Sequence, residues 1–296
     1  MGELNYIKTV LEKHFSVESL SVDCVPIGGG DIHSSVELNL IGGRALPKKL
    51  FGKFNSGVGV DVLKTEFESL KLINVLLPSL YPQALLLDCS KNEGALIMQF
   101  HNLASLTNSN AGDAGRALAE QHKQSHDEFG WESDNYIGMT PQANKWTSNW
   151  VDFFREQRLL PMLDNAMAKG LSQASALRVN GVISNLNQLL PHKVIPSLVH
   201  GDLWSGNLAW DCGTSKPLFY DPAPYYGHRE VDLAMTKLFG QQPNSFYHAY
   251  DEVWPLEKGH ESRVAIYNLY HALNHVVLFG LSYSSLVDGC LNQIHL

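Results

Sequence analysis

The chain has 296 residues, 44% of them hydrophobic, with a formal net charge of −8. That length buries a substantial core in one large domain or in two lobes sharing a cleft, and the negative balance argues against nucleic acid or an anionic membrane as partner, leaving a small molecule. Cys24, Cys89, Cys212 and Cys290 stand far apart without a CxxC pair, which speaks against a zinc knuckle or a disulfide framework and fits a reducing cytoplasm.

The opening MGELNYIKTVLEKHF spaces its apolar residues as an amphipathic helix, and no apolar run approaches the ~20 residues that span a bilayer. Three strand-like runs follow, ESLSVDCVPI, SSVELNLI and KKLFGKFN, separated by GGGDIH and GGRALP, glycine punctuation that predicts hairpins. In VDVLKTEFESLKLINVLL the residues Leu63, Phe67, Leu70 and Ile73 keep helical spacing, and ALLLD and ALIMQF flank the turn CSKNEG as another hairpin. Beyond about residue 104 the chain reads as helical over 111–126, 145–169 and 171–190, with strand signals returning only around 198–220. A strand-rich first third with one main helix, followed by a mostly helical remainder, predicts an α+β fold.

The chemistry concentrates in LVHGDLWSGNLAW, residues 198–210. Further on, LAW and LFY flank DCGTSK, a hairpin turn by composition. Asn207 and Asp221 are equidistant from Thr214, so the hairpin sets them opposite one another at its open end, with Asp202 just upstream. Two carboxylates and a carboxamide in one small space call for a cation between them. Such oxygen ligands suit Mg²⁺, which takes one or two carboxylates and completes its shell with water and phosphate oxygens. Singly, Asp202 reads as a turn cap and Asn207 as a loop closure; together they point to a metal–phosphate site. A second reading gives His200, Asp202, Asp221 and His228 to zinc, but their spacing matches no zinc pattern. His200 reads better as a buried ring that holds the loop through backbone hydrogen bonds.

A phosphate on that metal calls for a further cation. In LFGKFN, Lys53 points to the strand face opposite Gly52 and Phe54, in an apolar context that suits either an edge residue or a functional amine. On the following helix Glu66 flanks the apolar stripe, whereas Glu68 lies with Lys64 and Lys71 on the solvated side. Glu66 is thus the inward carboxylate, suited to hold Lys53 against phosphate oxygens. GGGDIHS, with Gly29 and Gly30, either drapes backbone N–H groups over phosphates or marks a plain hairpin; Asp31 adds a negative charge to it.

Taken together, HGDLWSGN, FYDPAPYYGHREVDLA, QANKWTSNWVDFFREQRL, FGKFN and YHALNHVVLFG resemble the signature segments of the fructosamine kinase (ketosamine-3-kinase) family within the protein-kinase-like superfamily, in order from about Gly28 to Gly280. The resemblance implies a two-lobed fold, with a nucleotide-binding lobe over 1–100 that ends in a hinge and a helical lobe over 101–296. It implies Asp202 as catalytic base, Asn207 and Asp221 as Mg²⁺ ligands, Lys53 on the α and β phosphates with Glu66 as its partner, and Met98 to Phe100 as the hinge whose backbone meets adenine. HGD and DPA stand where protein kinases carry HRD and DFG, and no activation segment is evident, so a protein-hydroxyl kinase is disfavoured.

The expectation is therefore a cytoplasmic, monomeric, ATP- and Mg²⁺-dependent kinase that phosphorylates the 3-hydroxyl of a free or protein-bound ketosamine, a deglycation repair activity. Trp204, and in the helical lobe Trp146 and Trp150, either wall the sugar pocket or belong to the core. The rival readings are a kinase of the same architecture for an aminoglycoside, choline or homoserine, and a catalytically silent nucleotide-binding protein.

Overall fold

The computed structural model describes residues 2–15, 21–28, 33–41 and 47–296. Gly29, Gly30 and Asp31 of the glycine loop lie outside the described residues. The chain divides into two compact units, residues 1–103 with 211–218, and residues 104–210 with 219–296.

In the first unit, α1 (Gly2–Phe15) precedes β1 (Ser21–Pro26), β2 (Ser34–Ile41) and β3 (Lys49–Ser56); α2 (Gly59–Leu76), β4 (Ala84–Cys89) and β5 (Glu93–Gln99) follow. The strands form one antiparallel sheet in the order β1-β2-β3-β5-β4. Alternation along the strands sorts its two faces. Leu38, Leu40, Leu50, Phe54, Ala95 and Ile97 form one core with Ile7 and Leu11 of α1. Lys53, next to Phe54, falls on the other face.

After a two-residue strand, β6 (Leu103–Ala104), come α3 (Ala111–His122), the short hairpin β7 (Asn135–Ile137) and β8 (Thr140–Gln142), α4 (Trp150–Phe154), a π turn at Arg155–Leu159, α5 (Leu160–Ala168), α6 (Gln173–Ser184) and α7 (Leu186–Leu189). Next are β9 (Ser197–Val199), β10 (Leu208–Asp211), β11 (Lys216–Phe219), β12 (Tyr225–Gly227), α8 (Glu230–Met235), α9 (Asn244–Val253), α10 (His260–Phe279) and α11 (Ser284–Gln293). Helix α10 is the axis of the second unit: it packs against α5, α8 and α11 and buries twelve of its side chains.

The helical expectations are trimmed by competing partners. The helix predicted over 111–126 stops at His122, because Gln124 O accepts Leu198 N–H and Ser125 bridges Ser197. The one predicted over 145–169 starts only at Trp150: Thr147 pairs with Phe129, and the Asn149 side chain caps the helix by accepting Asp152 N–H at 3.0 Å. The 171–190 stretch breaks at Asn185 into α6 and α7. The β7–β8 hairpin has no counterpart in the sequence reading.

Candidate active site

In the first unit, Lys53 is 3% exposed and its Nζ donates to Glu66 Oε1 at 2.6 Å. β3 delivers the lysine opposite Leu96 of β5, and Glu66 comes from the buried side of α2. The pairing inferred from alternation and helical spacing is thus formed. Two buried charges make such a pair expensive to place and more expensive to break.

Met98 is buried on β5 opposite Phe51, and Phe100 follows the strand with Lys49 Nζ 5.1 Å above its ring. Beside Phe100 lies a cavity of about 560 Å³ lined by Gln99, His101, Asn102, Asp211 and Thr214, among others. His101 Nδ1 lies 2.9 Å from Asp211 Oδ2, the oxygen to which Thr214 also donates, so the tip of the 211–215 turn is fixed against residue 101. Sequence reasoning had no signal for this cluster.

In the second unit, Asn207 Nδ2 donates to Asp202 O at 2.8 Å and to Asp202 Oδ2 at 3.3 Å. This leaves Oδ1, the ligating atom of a carboxamide, outside that pairing. Tyr220 N–H donates to Asn207 O at 3.1 Å, so the residue facing Asn207 is Tyr220, and Asp221 is one step beyond. The expected symmetry about Thr214 is therefore out by a single residue. Asp221 has φ of 57°, a left-handed conformation uncommon outside glycine that Asp tolerates better than most residues.

The backbone before Asp202 is rigidly held. Gly201 has φ of 83°, and a Cβ there would lie 1.9 Å from Ala223 O, so no other residue fits. His200 is buried, with Nε2 at 2.9 Å from Tyr220 O and Nδ1 accepting Asp202 N–H at 3.2 Å. Both ring nitrogens are thereby engaged with backbone, the role expected of it. His228 Nδ1 is likewise taken, at 2.6 Å from Tyr267 OH. Among the described residues no three His, Cys, Asp or Glu side chains converge as a metal site, which leaves the zinc reading without support.

Asp232, a residue the sequence reasoning passed over, anchors the loop from α8. It is 1% exposed and accepts His200 N–H at 2.6 Å, Gly201 N–H at 2.9 Å and a bond from His122 Nε2 at 3.0 Å. Burial alone pushes its carboxyl up, but the bonds from His122 and His200 outweigh that and hold it below the ordinary value. Asp202 is the opposite case: burial first, then the charges of Asp221 and Asp232, push it up to about 7, against the Asn207 hydrogen bond.

Trp204 N–H donates to Asp202 O at 3.1 Å, and its half-buried ring meets Phe239 edge-on at 6.2 Å. Phe239 in turn lies 4.5 Å from the His275 ring, which extends this aromatic group to Phe279 and Tyr283. Trp146 belongs to a different group, stacked on His126 at 4.3 Å with Tyr226 beyond. Trp150 is core: 3% exposed, stacked on Phe153 and Phe154, its Nε1 donating to Tyr267 OH.

A family model for fructosamine kinases matches residues 4–296. A Vibrio parahaemolyticus protein named "Probable ketoamine kinase" is 37% identical over 273 residues, 91% of each chain. A solved Haemophilus somnus structure assigned as a fructosamine-3-kinase superposes with a TM-score of 0.84 at 27% identity, covering 97% of this chain and 96% of that one. The choline kinase LicA of Streptococcus pneumoniae matches at a TM-score of 0.65 and 13% identity over 97% and 98% of the two chains. That likeness bears on the fold, which is α+β and protein-kinase-like.

Proposed function

The chain belongs to the fructosamine kinase family, and from that premise we propose that it transfers the γ-phosphoryl group of ATP to a sugar hydroxyl of a ketosamine, the 3-hydroxyl, as a deglycation kinase. The observation that carries this reading is the loop in which Asp202, raised to about 7, hydrogen-bonds Asn207 and is flanked by a backbone clamped onto Asp232. A turn that merely closed a hairpin would have no use for a carboxylate held in so unfavourable a setting.

Asp202 orients the acceptor hydroxyl and takes its proton. Lys53, fixed by Glu66, meets the α and β phosphates, and the backbone of Met98 to Phe100 receives the adenine. The cavity beside Phe100, at about 560 Å³, is of a size that holds small ligands. Phosphoryl transfer asks the protein for position and charge more than for covalent chemistry, and these residues supply both. Trp204, packed on its own loop beside the base, walls the sugar; Trp146, in its separate aromatic group, is the weaker candidate for that role.

The donor set fits magnesium. Asn207 keeps Oδ1 out of its bonds to Asp202, and Asp221 adds a carboxylate whose charge raises Asp202. When bound, the ion offsets phosphate charge; Asn207 and Asp221 are the residues that would hold it.

The four cysteines are free, and no helix among the described residues is long and apolar enough to cross a membrane; both facts suit a cytoplasmic enzyme. The test is a panel of acceptors with labelled ATP and Mg²⁺: fructosamine, ribulosamine, choline, homoserine and an aminoglycoside. Label on a ketosamine supports the reading. Label on another acceptor alone, or on none, rejects it.

A further inference from the structure

The geometry points to His271 as the second hand on the acceptor: we propose that its Nδ1–H and the Asp202 carboxylate together hold the hydroxyl that is phosphorylated. This rests on the kinase reading above and adds a substrate contact to that site.

His271 lies on the buried side of α10 and is 3% exposed. Its Nδ1 is buried and has no hydrogen-bond partner. A polar ring atom buried without a partner is rare enough in folded proteins to need a reason. The reason lies 4.0 Å away, where Asp202 Oδ1 sits. That gap is too long for a hydrogen bond, yet one oxygen placed about 2.8 Å from each atom spans it with an angle of about 90° at the oxygen. A hydroxyl matches this arrangement: its proton is donated to the carboxylate, and a lone pair accepts the ring N–H.

The ring is well placed to act as a fixed donor. It meets Tyr270 edge-on at 5.2 Å, and the Tyr270 hydroxyl is itself tied to Gln142 Oε1 at 2.8 Å. Burial first, and then His275, push His271 down to about 3, so the imidazole is neutral and carries one N–H. During transfer the acceptor oxygen bonds to the γ-phosphorus and its proton passes to Asp202. The bond from phosphorus to the β–γ bridging oxygen breaks, and its electron pair leaves with ADP. His271 keeps its proton and only aims the oxygen.

Three variants test this with the full-length protein, Mg-ATP and fructosamine. His271→Asn keeps a polar atom at the Nδ1 position, His271→Gln moves it to the Nε2 position, and His271→Ala removes it. The expected result is that Ala and Gln lower kcat/KM for fructosamine by on the order of 10- to 100-fold, while Asn stays within about threefold of wild type. The KM for ATP stays unchanged in all three. Asn and Gln are both polar and flexible, so their comparison stands even if the Ala variant folds poorly; melting temperatures identify that case. Equal losses in Asn and Gln, or a loss expressed in the KM for ATP, overturn the inference while the kinase reading stands. A wild-type protein inactive on every ketosamine removes both.

Discussion

Asp232 accepts the backbone N–H of His200 at 2.6 Å, and its other oxygen takes that of Gly201 at 2.9 Å, so a carboxylate from α8 fixes the two residues that precede Asp202. Because these partners are backbone groups, only proline at 200 or 201 would remove them. Asp232→Ala strands two buried N–H groups and the His122 ring, at a cost of about 3–5 kcal/mol. In a chain of this size that lowers Tm by roughly 10 °C, and turnover falls as the loop loosens. The Asp232 carboxyl sits below its ordinary 3.8, so its contribution is present above about pH 4 and is lost as pH falls through the lower folded value. Melting curves should show the gap between wild type and variant at pH 7 narrowing towards pH 3.

The outline of the candidate site is legible in the sequence because its residues are close in sequence or tied to a period. Asp202, Asn207 and Asp221 surround a turn advertised by DCGTSK, and Lys53 and Glu66 follow strand alternation and helical spacing. Asp232 left no such trace: its donors are backbone amides 31 and 32 residues earlier, and backbone atoms have no letter in a sequence. His271 was hidden for a related reason, since α10 buries twelve residues and its period marks no single polar one. Trp150, weighed as a sugar contact, is packed among Phe153, Phe154 and Tyr267, where composition alone cannot separate core from pocket.

The buried Lys53–Glu66 pair separates function from stability. Lys53→Met leaves Glu66 buried without its 2.6 Å partner, so the variant should lose activity and several degrees of Tm. Glu66→Leu combined with Lys53→Met removes both charges, and replacing a buried pair by apolar groups is often neutral for stability. The double variant is expected to melt near wild type yet phosphorylate nothing. Recovery of activity along with stability would assign the lysine a structural role.

Magnesium dependence should follow Asn207. Chelation with EDTA stops turnover, and Asn207→Ala raises the Mg²⁺ concentration for half-maximal rate by roughly tenfold or more, as loss of a metal ligand's support does. The same substitution deletes the bonds from Nδ2 to Asp202, so the acceptor KM rises as well. Activation curves with Mg²⁺ at fixed ATP read both effects, and an unshifted curve would remove Asn207 from the metal site.

Asp202 is expected to trade stability for rate. Its carboxyl is raised from 3.8 to about 7 by burial and by Asp221 and Asp232. The folded state therefore holds its proton more tightly than the unfolded chain, and stability is lost as pH rises from about 4 to about 7. Asp202→Asn removes this penalty while keeping the shape. Turnover should fall by ~10²–10⁴, the worth of a positioned base. The variant should melt a few degrees above wild type at pH 8, roughly 2–4 °C per kcal/mol relieved, and level with it at pH 4. A variant that is inactive but no more stable at pH 8 would show that the carboxylate is already neutralised within the fold, and the electrostatic account of the loop would fail.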